Sequence, residues 1–418
     1  RNMFDIIFKL QLEGYIIVLA HPARYQYFDL KDYESLINRG VLFQLNLGVF
    51  FLVCSLKIYQ DACCLMLRLQ QTFLSFSKNL FSDNININFS SESEIHEIET
   101  DKSVMVDAIN HALSEELNQN KKMILFGQDI AGGKGREQYQ GTQDAWGGPF
   151  GVTQGLYTKF GGERVRDTTI AEAGFFGAAI GAAMTGLRPI VELMYVDFAG
   201  VCFDQMMNQA AKVRYMFGGK QKVPMVVRTV VGAGFRAGSE HSQTLYSLYT
   251  HIPGLKVVAP YDAYDAKGLL LSSIKDDDPV IFMEHKRLYM TSCEVPDDLK
   301  PIPLGKGRIR REGTDVTIIA IQRMNLFAEE AADELEKINI SCEIVDPRTY
   351  SPLDEELIFQ SVKKTGKVIV VDESNPKCSL ASEISSLISE KCFSDLKAAV
   401  IKITAPHTPV PVSYTHLR

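Results

Sequence analysis

The chain has 418 residues, which at about 100–200 residues per domain allows two to four domains. Its 46% apolar and 23% charged residues mark an ordinary globular protein and exclude disordered, collagenous and coiled-coil classes, and its net charge of −7 argues against a bulk binder of nucleic acid or acidic membrane. The eight cysteines hold no CxxC pair and no His/Cys metal spacing, so free thiols in a reducing cytoplasm are expected. The most apolar stretch, 47–56, is well short of the ~20 residues of a spanning helix, and no signal peptide is predicted.

In chain order, residues 1–100 stand apart. They carry three of the eight cysteines, little Gly/Pro punctuation and a Ser/Asn-rich exit near 82–94 with the composition of a solvated linker. From Asp101 the pattern is regular. An amphipathic helix around Val104–Leu113 leads to a strand at Met123–Phe126 and a glycine-rich loop over Ile130–Gly151. Strands are then predicted at Ile190–Tyr195, Met225–Thr229, Lys256–Ala259 and Val280–Met283, with helices at Ala171–Thr185, Phe203–Phe217 and Ala263–Ile274. Near-continuous apolar strands alternating with helices predict a parallel sheet covered on both faces.

A Pro/Gly-marked linker over 291–313 separates this first domain, 101–290, from a second, smaller alternation over 314–412. There, strands at Val316–Ile321, Cys342–Val345, Val368–Asp372 and Val400–Ile403 alternate with helices at Leu326–Ile338, Asp354–Lys364 and Leu380–Cys392. The fold class is therefore α/β, with two doubly wound domains.

The glycine loop contains neither a P-loop nor a Rossmann spacing and reads as a surface or interface loop. The run TTIAEAGFFGAAIG over 168–181 is more informative. A strand predicted to end at Ile170 passes into a helix whose first turn holds Glu172, followed by small residues on successive turns. Each helical glycine costs near 1 kcal/mol, which close packing or an interface must offset. Glu172 has two readings: an acid favoured by the helix dipole, or a buried carboxylate at the carboxyl edge of the sheet, where α/β folds place ligands. Phe198, at the turn after the next strand, is either core or a stacking platform for a ring. His241, in SEHSQ behind a glycine-rich turn, reads as a general acid/base or as an exposed loop histidine. His251 and His285 read as structural, and Asp276-Asp277-Asp278 as a solvated turn. Arg228 and Arg236 are the cations available to a substrate carboxylate.

From about 101 to 412 the sequence resembles the β subunits of thiamine-diphosphate-dependent dehydrogenases of the acetoin and 2-oxoacid type. The resemblance rests on AEAGFFGAAIGAAMTGLRPIVELM, the HSQ at His241, THIPGLKVVAP, DAKGLLLSSIKDDDPVIFMEH and TAPHTPVP. Three further runs, VDFAGVCFDQMMNQAAKVRYMFGGK, AGGKGREQ with DAWGG, and VDPRTYSPLD, look closest to the acetoin group. It implies a transketolase-like pyrimidine-binding domain followed by a transketolase C-terminal-like domain. Glu172 matches the glutamate that hydrogen-bonds the cofactor's pyrimidine nitrogen, Phe198 the aromatic packed on that ring, and His241 the histidine that handles protons and receives the lipoyl group. Ser273, Ile274, Asp276 and Asp278 match a monovalent-cation site, for potassium, in some relatives. Gln128 stands where many relatives have Glu.

The GDG signature for diphosphate and magnesium, an α-subunit property, is absent from this sequence. The resemblance thus implies an α partner that supplies magnesium, a two-α, two-β assembly and a lipoyl acyltransferase core. The implied reaction is cleavage of acetoin, with pyruvate or branched-chain 2-oxoacid oxidation as the alternative. Residues 8–47 resemble a fragment of PHP-type, manganese-dependent tyrosine phosphatases; His21 matches one ligand, but the other ligands are missing and no phosphatase activity is expected. Residues 413–418 do not continue the family pattern, so a chimeric reading frame around a β subunit is expected.

Overall fold

The computed structural model describes residues 18–20, 42–45, 50–52, 102–131, 147–235 and 237–411. Two units emerge, residues 1–96 and 97–418. In the first, strands β1 (Val18–Ala20), β2 (Leu42–Leu45) and β3 (Phe50–Leu52) form a small sheet, with β1 parallel and β3 antiparallel to β2.

The second unit begins with β4 (Lys102–Val104), α1 (Met105–Gln119) and β5 (Met123–Gly127). A short α2 (Leu156–Phe160) and β6 (Val165–Asp167) precede α3 (Glu172–Met184) and β7 (Arg188–Leu193). A 3-10 turn at Val196–Phe198 opens α4 (Ala199–Asp204), which continues through a π-helical turn at Gln205–Ala210 into α5 (Ala211–Met216). Then come β8 (Val226–Val231), a 3-10 turn at Ser239–His241, α6 (Tyr246–Thr250) and β9 (Lys256–Val258). The domain closes with α7 (Ala263–Lys275), β10 (Val280–His285) and β11 (Ser292–Glu294).

The smaller domain contributes β12 (Arg308–Arg311), β13 (Val316–Ala320), α8 (Met324–Glu336), β14 (Cys342–Asp346) and β15 (Thr349–Ser351). It ends with α9 (Glu355–Thr365), β16 (Val368–Asp372), α10 (Leu380–Lys391) and β17 (Ile401–Thr404).

The sheet orders are β15-β9-β10-β8-β7-β5-β6 and β12-β14-β13-β16-β17, parallel except for the edge strands β15 and β12. Strand residues alternate between two cores. Ile190, Val226 and Phe282 pack with α1 and α7, whereas Val191, Val227 and Ile281 pack with α3 to α5. Burial on both faces explains the unbroken apolar strands of the sequence.

Three expectations need correction. The strand before Glu172 stops at Asp167, and Ile170 is exposed. The predicted linker 291–313 contains two strands: β11 pairs with β4, and β12 pairs antiparallel with β14. Strand β15, from the smaller domain's sequence, joins the larger sheet beside β9. Strands β11 and β12 are only partly buried, and β15, although buried, is three residues long with polar Thr349 and Ser351, so apolar runs do not reveal them. Charge, rather than apolar pattern, fixes β12. Arg310 pairs with Asp262 at 2.9 Å and with Glu329 at 3.1 Å, and Arg348 pairs with Asp265, tying α7 to the smaller domain.

Arg228 occupies the middle of β8, fully buried, directly opposite Glu192 on β7. It donates to Glu192 at 2.8 Å and through two nitrogens to Glu284 of β10 at 2.7 Å each, while the Tyr289 hydroxyl donates to Glu284 at 2.6 Å. Burial pushes the Glu192 carboxyl up to about 7, against the pull of Arg228. Arg228 is therefore a structural cross-brace and not a cation open to a substrate carboxylate. Arg228→Leu strands two buried carboxylates and should cost about 3–5 kcal/mol, read as a fall in the urea midpoint of unfolding. A midpoint within experimental error of the parent would contradict the brace.

Candidate active site

The carboxyl edge of the larger sheet collects the residues singled out in the sequence. Glu172 is the first residue of α3, where the exposed amides and helix dipole favour a carboxylate. It is buried, and its Oε1 accepts a hydrogen bond from the Gln128 amide at 2.7 Å. Gln128 follows β5 and reaches the glutamate by donating to it. Its neighbour Asp129 has φ 61°, the left-handed turn that swings the chain away from the sheet edge. On the other side, α3 packs against α4, and burial, with the nearby Glu172 charge adding to it, pushes the Cys202 thiol up to about 12.

Small residues of α3 have a clear distribution. Ala179 and Ala183 face the core, whereas Gly174, Ala178 and Gly181 lie exposed, and a methyl group at Gly181 would meet nothing within 4 Å. The glycine stripe is thus not required by packing within this chain.

Phe198 ends the 3-10 turn after β7 and is half-buried. His241 approaches it edge-on with ring centroids 5.4 Å apart, and Tyr195 flanks the same imidazole at 4.8 Å. Tyr195 and Phe198 are themselves 5.6 Å apart, so three rings form one cluster at the ends of β7 and β8. His241 is half-buried, which separates it from both a core histidine and a fully exposed loop histidine.

The loop carrying His241 is clasped from several sides. Asp197 Oδ1 accepts from the amides of Ser242 and Gln243 at 3.2 Å each and from the Gln243 side chain at 3.0 Å. Lys286, just past β10, donates to the main-chain oxygen of His241 and lies 5.7 Å from the Tyr195 ring centre. Burial pushes the Lys286 ammonium down to about 8, against the pull of Asp197 and Glu373. At the start of the loop, Glu373 of the smaller domain accepts from the Ala233 amide at 2.8 Å and pairs with His285 Nε2 at 2.6 Å. His285 Nδ1 accepts from the Arg287 amide, so Nε2 carries the proton given to Glu373, and burial keeps the imidazole below its usual pKa. Gly232, at φ +94°, leaves this pair its room, because a Cβ there would fall 2.0 Å from His285 Nε2.

Sequence reasoning missed Asp197, Tyr195, Lys286 and Glu373 as site residues. Asp197 and Tyr195 stand within three residues of Phe198, which was a usable signal. Lys286 and Glu373 come from distant strands and left none.

The residues Ser273, Ile274, Asp276 and Asp278 do lie together, but their oxygens are engaged by the chain's own cations. Arg188 donates to the carbonyls of Ile274 and Asp276 at 2.9 and 2.8 Å, Lys256 to the Asp276 carboxylate at 2.6 Å, and Arg214 to Asp278. Ser273 donates internally to Leu269. This donor set does not fit a separate potassium ion, and no step is derived through one. Nor is the turn simply solvated, since Asp277 pairs with Lys222 and Arg188, whose hydrogen bonds hold it below the usual carboxylate range. Among the described residues no group of His, Cys, Asp and Glu fits a metal ion, and no helix is long and apolar enough to cross a membrane. Arg236, Asp144, Ala145, Trp146 and His21 lie outside the described residues, as does the phosphatase-like stretch 8–47 apart from 18–20 and 42–45.

The clasp on the His241 loop is testable directly. Hydrogen bonds to a charged acceptor contribute about 1.5–3 kcal/mol, so Asp197→Ala should speed amide exchange at Ser242 and Gln243 about tenfold or more. Unchanged exchange would show that Asp197 does not hold the loop.

Comparisons with known proteins match both domains. The family described as transketolase, pyrimidine binding domain, matches residues 101–291, and transketolase, C-terminal domain, matches 305–418, including the last six residues. Acetoin:2,6-dichlorophenolindophenol oxidoreductase subunit beta of Bacillus subtilis is 54% identical over 74% of this chain and 90% of its own length. Its Cupriavidus necator counterpart is 53% identical over the same shares, and pyruvate dehydrogenase E1 component subunit beta of Rickettsia felis is 43% identical over 73% and 90%. A solved split-gene transketolase, described as an inactive beta4 tetramer, shares the fold at TM-score 0.56 and 23% identity, covering 73% of this chain and 89% of that one. With a buried carboxylate, a half-buried aromatic and a clasped histidine gathered at one sheet edge, and with identities above 50% across both domains, the chain belongs to the transketolase-like family of thiamine-diphosphate-dependent dehydrogenase β subunits.

Proposed function

We propose that the chain is the β subunit of an acetoin dehydrogenase, cleaving acetoin and passing the acetyl unit to the lipoyl group of a partner acyltransferase. The observation that carries this reading is the gap between relatives. The two acetoin β subunits are 54% and 53% identical, against 43% for the Rickettsia felis pyruvate enzyme and 42% for the 2-oxoisovalerate β subunit of Bacillus subtilis. The buried, fully paired Arg228 adds a physical argument. A hydroxyketone needs no carboxylate-binding cation, and this arginine is committed to Glu192 and Glu284.

The residues present fit the pyrimidine end of thiamine diphosphate. A buried carboxylate and a half-buried aromatic at the same carboxyl edge of the sheet suit a planar nitrogen heterocycle, with Glu172 at the ring nitrogen and Phe198 against the ring face. For the diphosphate end the sequence has no GDG, so that half, with its magnesium, falls to an α subunit. When bound, the cofactor supplies the electron sink for breaking the bond between acetoin's two oxygenated carbons. Glu172 holds the cofactor's ring nitrogen in the protonation state the reaction needs, and Gln128 orients Glu172 by donating to Oε1. His241 receives the lipoyl group and moves a proton at its sulfur during acetyl transfer. Acetaldehyde leaves, and oxidation of the retained two-carbon unit is balanced by reduction of the lipoyl disulfide to an acetyl thioester and a thiol. The exposed face of α3, with Gly174, Ala178 and Gly181, is suited to close approach by a partner backbone in a two-α, two-β assembly.

Reconstitution tests the reading. The isolated chain should be silent, and with its α subunit kcat/KM for acetoin should exceed that for pyruvate and 2-oxoisovalerate; a preference for pyruvate would move the assignment to the pyruvate branch. Separately, Glu172→Gln should leave the melting temperature near that of the parent yet lower turnover by about 10²–10⁴-fold, the usual worth of a proton-handling group. A loss below about tenfold would reject that role for Glu172.

A further inference from the structure

Three consecutive residues at the end of β10 reach the loop that carries His241, each at a different point. His285 holds Glu373, which accepts the Ala233 amide at 2.8 Å. Arg287 stacks on Phe235 at 5.7 Å. Lys286, buried between them, spends its ammonium on the main-chain oxygen of His241 itself and lies over Tyr195, the ring that flanks the imidazole. Asp197 clasps the two residues after His241 from the opposite side. The imidazole therefore stands on a peptide gripped at its carbonyl by a cation and just beyond it by an anion.

We propose that Lys286 is a positioning residue: through the carbonyl of His241 it sets the imidazole against Tyr195 and Phe198, and it governs the step His241 serves rather than cofactor binding. This rests on the role given to His241 above. A half-buried carbonyl that loses this donor does not stay in place, because the loop relaxes to let it bond water instead. Arginine reaches the same oxygen with a permanent charge, whereas methionine fills the volume without a donor.

The test uses the reconstituted complex with wild type, Lys286→Met, Lys286→Arg, His241→Ala and the Lys286→Met/His241→Ala double variant. Two readouts are compared on whichever substrate the wild type turns over: reduction of 2,6-dichlorophenolindophenol, which bypasses the lipoyl step, and acetyl transfer to free lipoamide. Lys286→Met should lower lipoamide kcat by about 10–100-fold and dye reduction by no more than about threefold, with substrate KM within about twofold. Lys286→Arg should recover most of the lipoamide rate, and the double variant should be no worse than His241→Ala, as expected of residues acting as a unit. Equal losses in both readouts, no arginine rescue, or a further loss in the double variant would overturn the proposal. A wild-type complex that turns over only pyruvate would instead reject the acetoin assignment and leave the Lys286 comparison to be read on pyruvate.

Discussion

A single guanidinium, Arg228, braces the middle of the larger sheet between Glu192 on β7 and Glu284 on β10. These three adjacent strands end in the segments that carry Phe198, His241 and Lys286. A buried ion pair contributes little net stability compared with an apolar core, but one guanidinium with two fixed carboxylates permits one register. A slip of any strand by one residue would turn these side chains to the opposite face. The spacing of the aromatic cluster around His241 depends on that register.

Above the brace, the site is built from polar contacts between segments far apart in sequence. Glu172 meets Gln128 across 44 residues, Asp197 meets Gln243 across 46, and Glu373 meets His285 across 88. The last contact brings the smaller domain into the site, as does β15 by pairing with β9. The smaller domain is therefore a wall of the His241 loop as well as an independent α/β layer. The exposed glycines on α3 belong to the same design. They cost helix stability, and close packing within this chain does not offset that cost at Gly181.

The same logic explains why the aspartate turn at 276–278 serves structure in this chain. Arg188, Lys256, Arg214 and Lys222 converge on it from β7, β9, α5 and the α5–β8 connection. A turn with three carboxylates at the end of α7 would repel itself; four cations from neighbouring elements neutralise it and fix the end of that helix.

The sequence by itself determined the two parallel sheets, the helices that cover them and the identity of Glu172, Phe198 and His241 as candidates. Strands buried on both faces must be continuously apolar, and a polar residue at a strand-to-helix turn stands out against them. Local pattern could not reveal the edge strands Arg308–Arg311 and Thr349–Ser351, which are held by charge and by a partner sheet. Nor could it distinguish Arg228 as a brace from Arg228 as a substrate cation, because that depends on which carboxylates lie on the adjacent strands. Lys286 was invisible for the same reason: a lysine after a strand carries no signal until strand order puts β10 beside β8 and its ammonium beneath His241. The residue types were written in the chain, but their partners were chosen by strand order, which is a property of the whole sheet.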